Sequence, residues 1–187
     1  MLNLSPSQLP ADKSTVEVVE AGVYPAVISL IVDLGIQKQK KFDSKDKPDD
    51  KCTQADWDVS RQIWYSFTLP TERFEAEADG EVVLRDQILG KMYKVSRSDK
   101  SNLMKMYKSV VKDGRSLGDM IGMPVTVTTG ITSGGKARVD NVAPPMRGSS
   151  VDAPLNEPMV VSEAHWDTVD DLLLPEFIKE MIKNRVQ

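Results

Sequence analysis

Residues 21–35, AGVYPAVISLIVDLG, constrain the fold more than any other stretch of the chain. Aliphatic and β-branched residues crowd a segment bounded by glycines. Side chains on a strand return to the same face every second residue. Tyr24, Ala26, Ile28, Leu30, Val32 and Leu34 then share one wholly apolar face, with Val23, Pro25, Val27, Ser29, Ile31 and Asp33 on the other. Such a strand needs a sheet around it and a core beneath it. Pro25 cannot donate to a ladder, so it belongs near the strand's beginning or at an edge.

The same periodicity finds the remaining elements. Residues 57–69, WDVSRQIWYSFTL, read as a second strand, with Ile63, Tyr65, Phe67 and Leu69 on one face and Gln62, Trp64, Ser66 and Thr68 on the other. Asp79-Gly80, between short alternating runs over 72–86, is a hairpin signal. It leads into a third strand at roughly 87–96. Ser98-Asp99-Lys100-Ser101 supplies N-cap residues for a helix whose Leu103, Met106, Tyr107 and Val110 form an apolar stripe ending near Asp113-Gly114. A short helical turn is expected over Leu117–Ile121. Strands at 124–129 and 136–142 follow, joined by a turn at Thr132–Gly135.

Three strands, a helix and two strands, within one domain of about 125 residues, form the order of a five-stranded OB-fold barrel with its helix between strands 3 and 4. An open α+β sheet or a β-sandwich would use the same elements. The expected organisation is a mainly β domain at 21–145, behind a polar leader at 1–20. A linker and flexible acidic C-terminal tail at 146–187 would end in an amphipathic helix. The intervening charged loop, 36–56, is long enough to be either functional or disordered. Pro175 suits a helix start, and Phe177, Ile178, Met181 and Ile182 fall on one stripe beyond it.

Charge separates these parts. Residues 1–150 hold 21 basic and 20 acidic residues, whereas 151–187 hold 3 and 8. A polycationic, histone-like chain is excluded; a local basic groove is not. The single cysteine, Cys52, excludes an intramolecular disulfide, and the single histidine, His165, leaves too few ligands for an ordinary zinc site. No apolar run is long enough for a membrane span. Gly134-Gly135-Lys136 lacks phosphate-loop spacing, and the acidic run from Asp43 to Asp50 lacks the glycine and glutamate of a calcium loop. Cys52 and His165 fall in the charged loop and the tail, a poor place for a nucleophile pair. No enzyme, cofactor or metal is expected.

Basic and aromatic residues carry the functional reading. Unpaired nucleic acid is held by cations on its phosphates and rings against its bases. Trp64, opposite the core-facing triad, is expected to look outward beside Arg61. Lys38, Lys40, Lys41 and Phe42 in the first loop, Lys91 and Lys94 on strand three, Arg97 beyond it, and Lys136 and Arg138 near the last strand would line the same groove. For each lysine alone a solvated surface charge is the plainer reading, and Trp64 could instead pack beneath the hairpin or tail.

Several segments resemble a family of small bacteriophage single-stranded DNA-binding proteins associated with replication. They are Gly22-Val23-Tyr24-Pro25-Ala26, Val32-Asp33-Leu34-Gly35-Ile36-Gln37, Thr68-Leu69-Pro70, Gly90-Lys91 through Ser96, Lys100-Ser101-Asn102-Leu103, Gly122-Met123-Pro124-Val125 and Val139-Asp140-Asn141-Val142. Their order and spacing over about 21–145 match. Thr68 stands where an acid is usual, Lys94 where a threonine is common, and Met123 where a lysine is common. The resemblance implies an OB-fold and binding of single-stranded DNA in phage replication or recombination, in the cytoplasm of the infected host. Many single-strand binding proteins end in an acidic segment with apolar residues. Such a tail recruits replication or recombination proteins and competes with DNA for the groove. The terminal stripe would pack on a partner groove, on a second copy, or back on the chain's own barrel. Asp167, Asp170, Asp171, Leu174, Phe177, Ile178 and Met181 are the partner-binding candidates. A homo-oligomer is left open. The alternative is a phage structural or adaptor protein that uses the barrel and terminal helix to hold protein.

Overall fold

The computed structural model describes residues 19–78, 80–111, 114–148 and 150–186. The fold is mainly β. Strands β1 (Gly22–Lys40), β2 (Trp57–Ala78) and β3 (Glu81–Lys94) precede helix α1 (Asn102–Val110). Strands β4 (Pro124–Ile131), β5 (Ala137–Ala143) and β6 (Met159–Val161) lead to the terminal helix α2 (Glu176–Lys183). Five strands run antiparallel in the order β3-β2-β1-β4-β5, and β6 lies parallel against β1. The hairpin over 72–86 is a continuation of β2 and β3, paired from Arg73 with Asp86 to Ala78 with Glu81. The polar leader and Asp79 and Asp113 fall outside the described residues, apart from the leader's last two positions.

Strand β1 changes neighbours along its length. Residues 22–27 pair with β4 and residues 27–40 with β2. Pro25, opposite Thr126, lies where β1 has β4 alone beside it, so its missing N–H breaks no second ladder. The register slips by one residue between Ile28, opposite Phe67, and Leu30, opposite Ser66. The extra residue is Ser29, whose Oγ accepts from Thr68 Oγ1 at 2.7 Å.

This bulge corrects the expectation of one continuous apolar face. Before it, Ala26 and Ile28 face a core built with Tyr65, Phe67, Leu69, Leu103, Met106, Met120, Val125 and Val127. After it, Ile31 stays with that core, while Val32 and Leu34 turn to the opposite side of the sheet. There they meet a second core of Val161, Val169, Leu174, Ile178 and Ile182.

The C-terminal segment is therefore part of the fold and not a flexible tail. Beyond residue 27, β4 no longer borders β1, and β6 occupies the edge at Leu30–Val32. Trp166 Nε1 donates to the Asp33 carbonyl at 2.9 Å, Gln37 Nε2 to the Met181 carbonyl at 2.9 Å, and Val186 N to the Ile36 carbonyl at 2.8 Å. The linker is fastened at Asp86, a side chain only 1% exposed. Its carboxylate accepts from Arg73 Nε at 2.8 Å and from Leu155 N at 2.6 Å. A buried carboxylate is tolerable only with such partners.

Candidate nucleic-acid interface

Trp64 is placed on the outer face of β2, as its alternation requires, but it is not an open platform. The indole packs against the second core and meets Phe177 of α2 edge-on, with ring centroids 5.1 Å apart. Its Nε1 donates to Ser66 Oγ at 2.9 Å. Gly90 of β3, opposite Ser66, leaves the space in which the indole lies. Arg61 is turned toward the C-terminal segment, pairing with Asp33 and reaching Glu163 at 3.5 Å. The hydrogen-bonded Asp33 carboxylate raises its pKa above the ordinary guanidinium value. Both residues hold the C-terminal segment to the sheet.

The terminal partner-binding candidates divide in the same way. Leu174 and Ile178 are buried in the second core and Met181 packs at its margin. Asp170 is engaged by Lys183 at 2.7 Å. Asp167 and Asp171 remain exposed, as does Phe177 in part. Leu173, not singled out by the stripe, is 99% exposed.

Cations do converge at another place. The end of β3 and the start of α1 enclose a groove of about 440 Å³. Lys91, Lys94 and Lys100 line it together with Ser96, Ser98 and Ser101. The helix starts here because Ser101 caps it, its Oγ accepting from Met104 N at 3.2 Å. Lys91 Nζ donates to the Asp140 carbonyl of β5 at 2.9 Å, linking the two end strands of the sheet. Burial pushes the Lys91 pKa below the usual lysine value, with Arg138 adding a like charge. Arg138 itself pairs with Asp140 at 2.7 Å. Lys136 lies exposed in the β4–β5 turn, and Arg97 is exposed outside the groove lining.

The long loop is neither disordered nor uniformly solvated. Lys41 begins it, three short 3₁₀ turns fill it, and Asp56 organises it. The Asp56 carboxylate accepts from Lys47 Nζ at 2.7 Å, Ser44 Oγ at 2.6 Å, and Thr53 N and Oγ1 at 2.6 and 2.8 Å. These donors hold its pKa well below the usual carboxylate range. The order they provide is thus present at neutral pH and lost as pH falls through that lowered value. Asp56→Ala is expected to loosen 41–56 while sparing the cores. Hydrogen exchange should show faster amide exchange across the loop and unchanged protection in β2 and β4. Unchanged loop protection would refute the hub role.

On this loop Phe42 is 90% exposed and Lys41 lies beside it in solvent. Lys40 pairs with Asp49 at the loop's base. Across the ribbon Lys40 is opposite Trp57, and Lys38 opposite Val59. Lys38 Nζ stands 4.5 Å from the Trp57 ring centroid, and Lys40 Nζ 5.8 Å. Trp57 carries no site signal in the sequence, whereas Lys100 and the groove serines lie within the capping and resemblance segments without being assigned to the site. Trp57 gains its cations only through the β1–β2 register. The serines gain theirs only once β3 and α1 are folded together. The Ser98–Ser101 capping pattern and the segments 90–96 and 100–103 of the phage-family resemblance are the signals that reach them.

Among the described residues no group of three or more His, Cys, Asp or Glu side chains could hold a metal ion. His165 Nδ1 accepts from Ser162 N at 3.1 Å, closing a helix-start box, and Cys52 Sγ contacts the Pro48 carbonyl at 3.3 Å. No helix among the described residues is long and apolar enough to cross a membrane. No known protein family, curated protein or solved structure matches the chain.

Proposed function

We propose that this protein binds single-stranded DNA with little regard to sequence, in phage replication or recombination. The observation carrying this reading is the groove between β3 and α1, where three lysines and three serine hydroxyls share one cavity of about 440 Å³. Ammonium groups meet phosphate charge, and hydroxyls donate to phosphate oxygens. The order β3-β2-β1-β4-β5, with a helix between the third and fourth strands, supports an OB-type barrel, partly closed through Lys91 and Asp140. Grooves bordered by the strands and loops of that barrel hold oligonucleotides.

The site differs from the one expected from sequence. It keeps Lys91 and Lys94, adds Lys100, and leaves Trp64 and Arg61 to the fold. The adaptor reading loses its docking stripe, since Ile178 and Ile182 are fully buried on the chain's own sheet.

A titration in rising salt with single-stranded DNA, duplex DNA and RNA oligomers tests the proposal. Affinity for the single strand should exceed that for duplex and fall steeply with salt, because phosphate contacts release counterions. Lys91→Ala, Lys94→Ala and Lys100→Ala combined should lower the slope of log K against log salt by about 2, at roughly 0.7 per lost contact. Preference for duplex, or a triple variant with an unaltered slope, would overturn the assignment.

A further inference from the structure

We infer that Trp57 and Phe42, held by the loop around Asp56, form the base-stacking part of the site. The inference rests on the single-strand reading above and names the aromatic component that Trp64 cannot supply. Stacking needs a ring face that a base can reach and a cation near enough to meet the adjoining phosphate. Trp64 fails the first condition because Phe177 and the second core cover it. Phe42 meets it outright, being 90% exposed at the start of a loop. Trp57 is half-buried, with Lys38 and Lys40 both within 6 Å of its ring centroid.

The loop's construction gives Phe42 a defined position. Asp56 ties Ser44, Lys47 and Thr53 together within the residues that separate Phe42 from Trp57. Lys41 N also donates to the Asp56 carbonyl at 2.9 Å, closing the loop at its neck. An aromatic ring kept in water by an organised loop has no packing role, and organised long loops are where binding residues collect. Asp58, next to Trp57, joins this cluster to the cationic groove. Its carboxylate accepts from Lys94 Nζ at 2.6 Å, and Lys41 also acts on it, lowering its pKa below the usual aspartate value. Phosphate oxygens arriving at Lys94 would compete with the Asp58 carboxylate for the same ammonium group.

The test uses the full chain and a fluorescein-labelled oligothymidylate, read by anisotropy at fixed salt. Phe42→Ala and Trp57→Ala should each weaken binding about 5- to 150-fold, and Trp57→Phe by less. The salt slope should stay unchanged, since no phosphate contact is removed. At saturating oligonucleotide, indole emission should be quenched in the parent protein and far less so in Trp57→Phe. Phe42→Ala removes a solvent-exposed ring, so its fold is expected to survive even if Trp57→Ala melts early. Parent-like affinity in Phe42→Ala and full quenching in Trp57→Phe, with salt-dependent binding by the parent intact, would overturn this inference alone. No binding by the parent protein at low salt would overturn the single-strand reading itself, and this inference with it.

Discussion

Removal of residues 159–187 is expected to cost the protein its stable fold and not merely an appendage. The cut takes away β6, which borders β1 at Leu30–Val32, and the buried side chains of Val161, Val169, Leu174, Ile178 and Ile182. Burying one such aliphatic side chain contributes about 1.5–3 kcal/mol. Losing five approaches the whole net stability of a domain, about 5–15 kcal/mol. The remaining sheet would expose Val32, Leu34, Trp64 and Met92 as one apolar patch, a setting for aggregation. The truncated chain should bind a hydrophobic dye and lose its cooperative thermal transition. The milder Ile178→Ala should fold and melt early, at a cost of about 2–5 kcal/mol. A truncated protein that melts like the parent would show that the second core contributes nothing.

Gly90→Ala should destabilise the same region by a smaller amount and for a different reason. A Cβ on Gly90 would overlap Trp64 Cζ2 and fall 2.6 Å from Cε2 and Cη2. The obstacle is a rigid bicyclic ring held by Ser66 beneath and Phe177 at its edge, so it cannot swing aside cheaply. Overpacking of this kind costs about 1–3 kcal/mol, and more where nothing yields. At about 2–4 °C per kcal/mol in a chain of this size, the melting temperature should fall by several degrees. In a Trp64→Ala background the same substitution should be much cheaper, because the colliding ring is gone. Equal costs in both backgrounds would refute the collision.

How far the sequence revealed this fold depends on how local each signal was. The alternation of Ile63, Tyr65 and Phe67 located β2 and its core face, and Ser101 marked the start of α1. Both are short-range rules. The two-core arrangement was hidden because period-two reading assumes an unbroken pleat. Ser29 breaks it, and a serine in a strand gives little warning of a bulge. Ile31 was the hint, an apolar residue on the face read as mixed. The stripe of Ile178 and Ile182 is legible as amphipathic, yet a stripe does not name what covers it. The cationic groove was half legible. Lys91 and Lys94 were found as residues of one strand, whereas Lys100 joins them only through the turn into α1. Alternation gives the direction of Trp64, while its cover, the C-terminal segment that stands as the alternative to an open face, comes only from the fold.

The slip at Ser29 has a consequence for how this chain tolerates change in length. Irregular surface loops absorb an extra residue far more cheaply than a strand does, whereas the spacing from Ile28 to Val32 is fixed by the two cores it serves. One deletion there would carry Asp33 round toward Ile178 and Ile182, and would turn Val32 and Leu34 into the space already filled by Tyr65 and Phe67. That short interval acts as a fixed gear between two hydrophobic interiors.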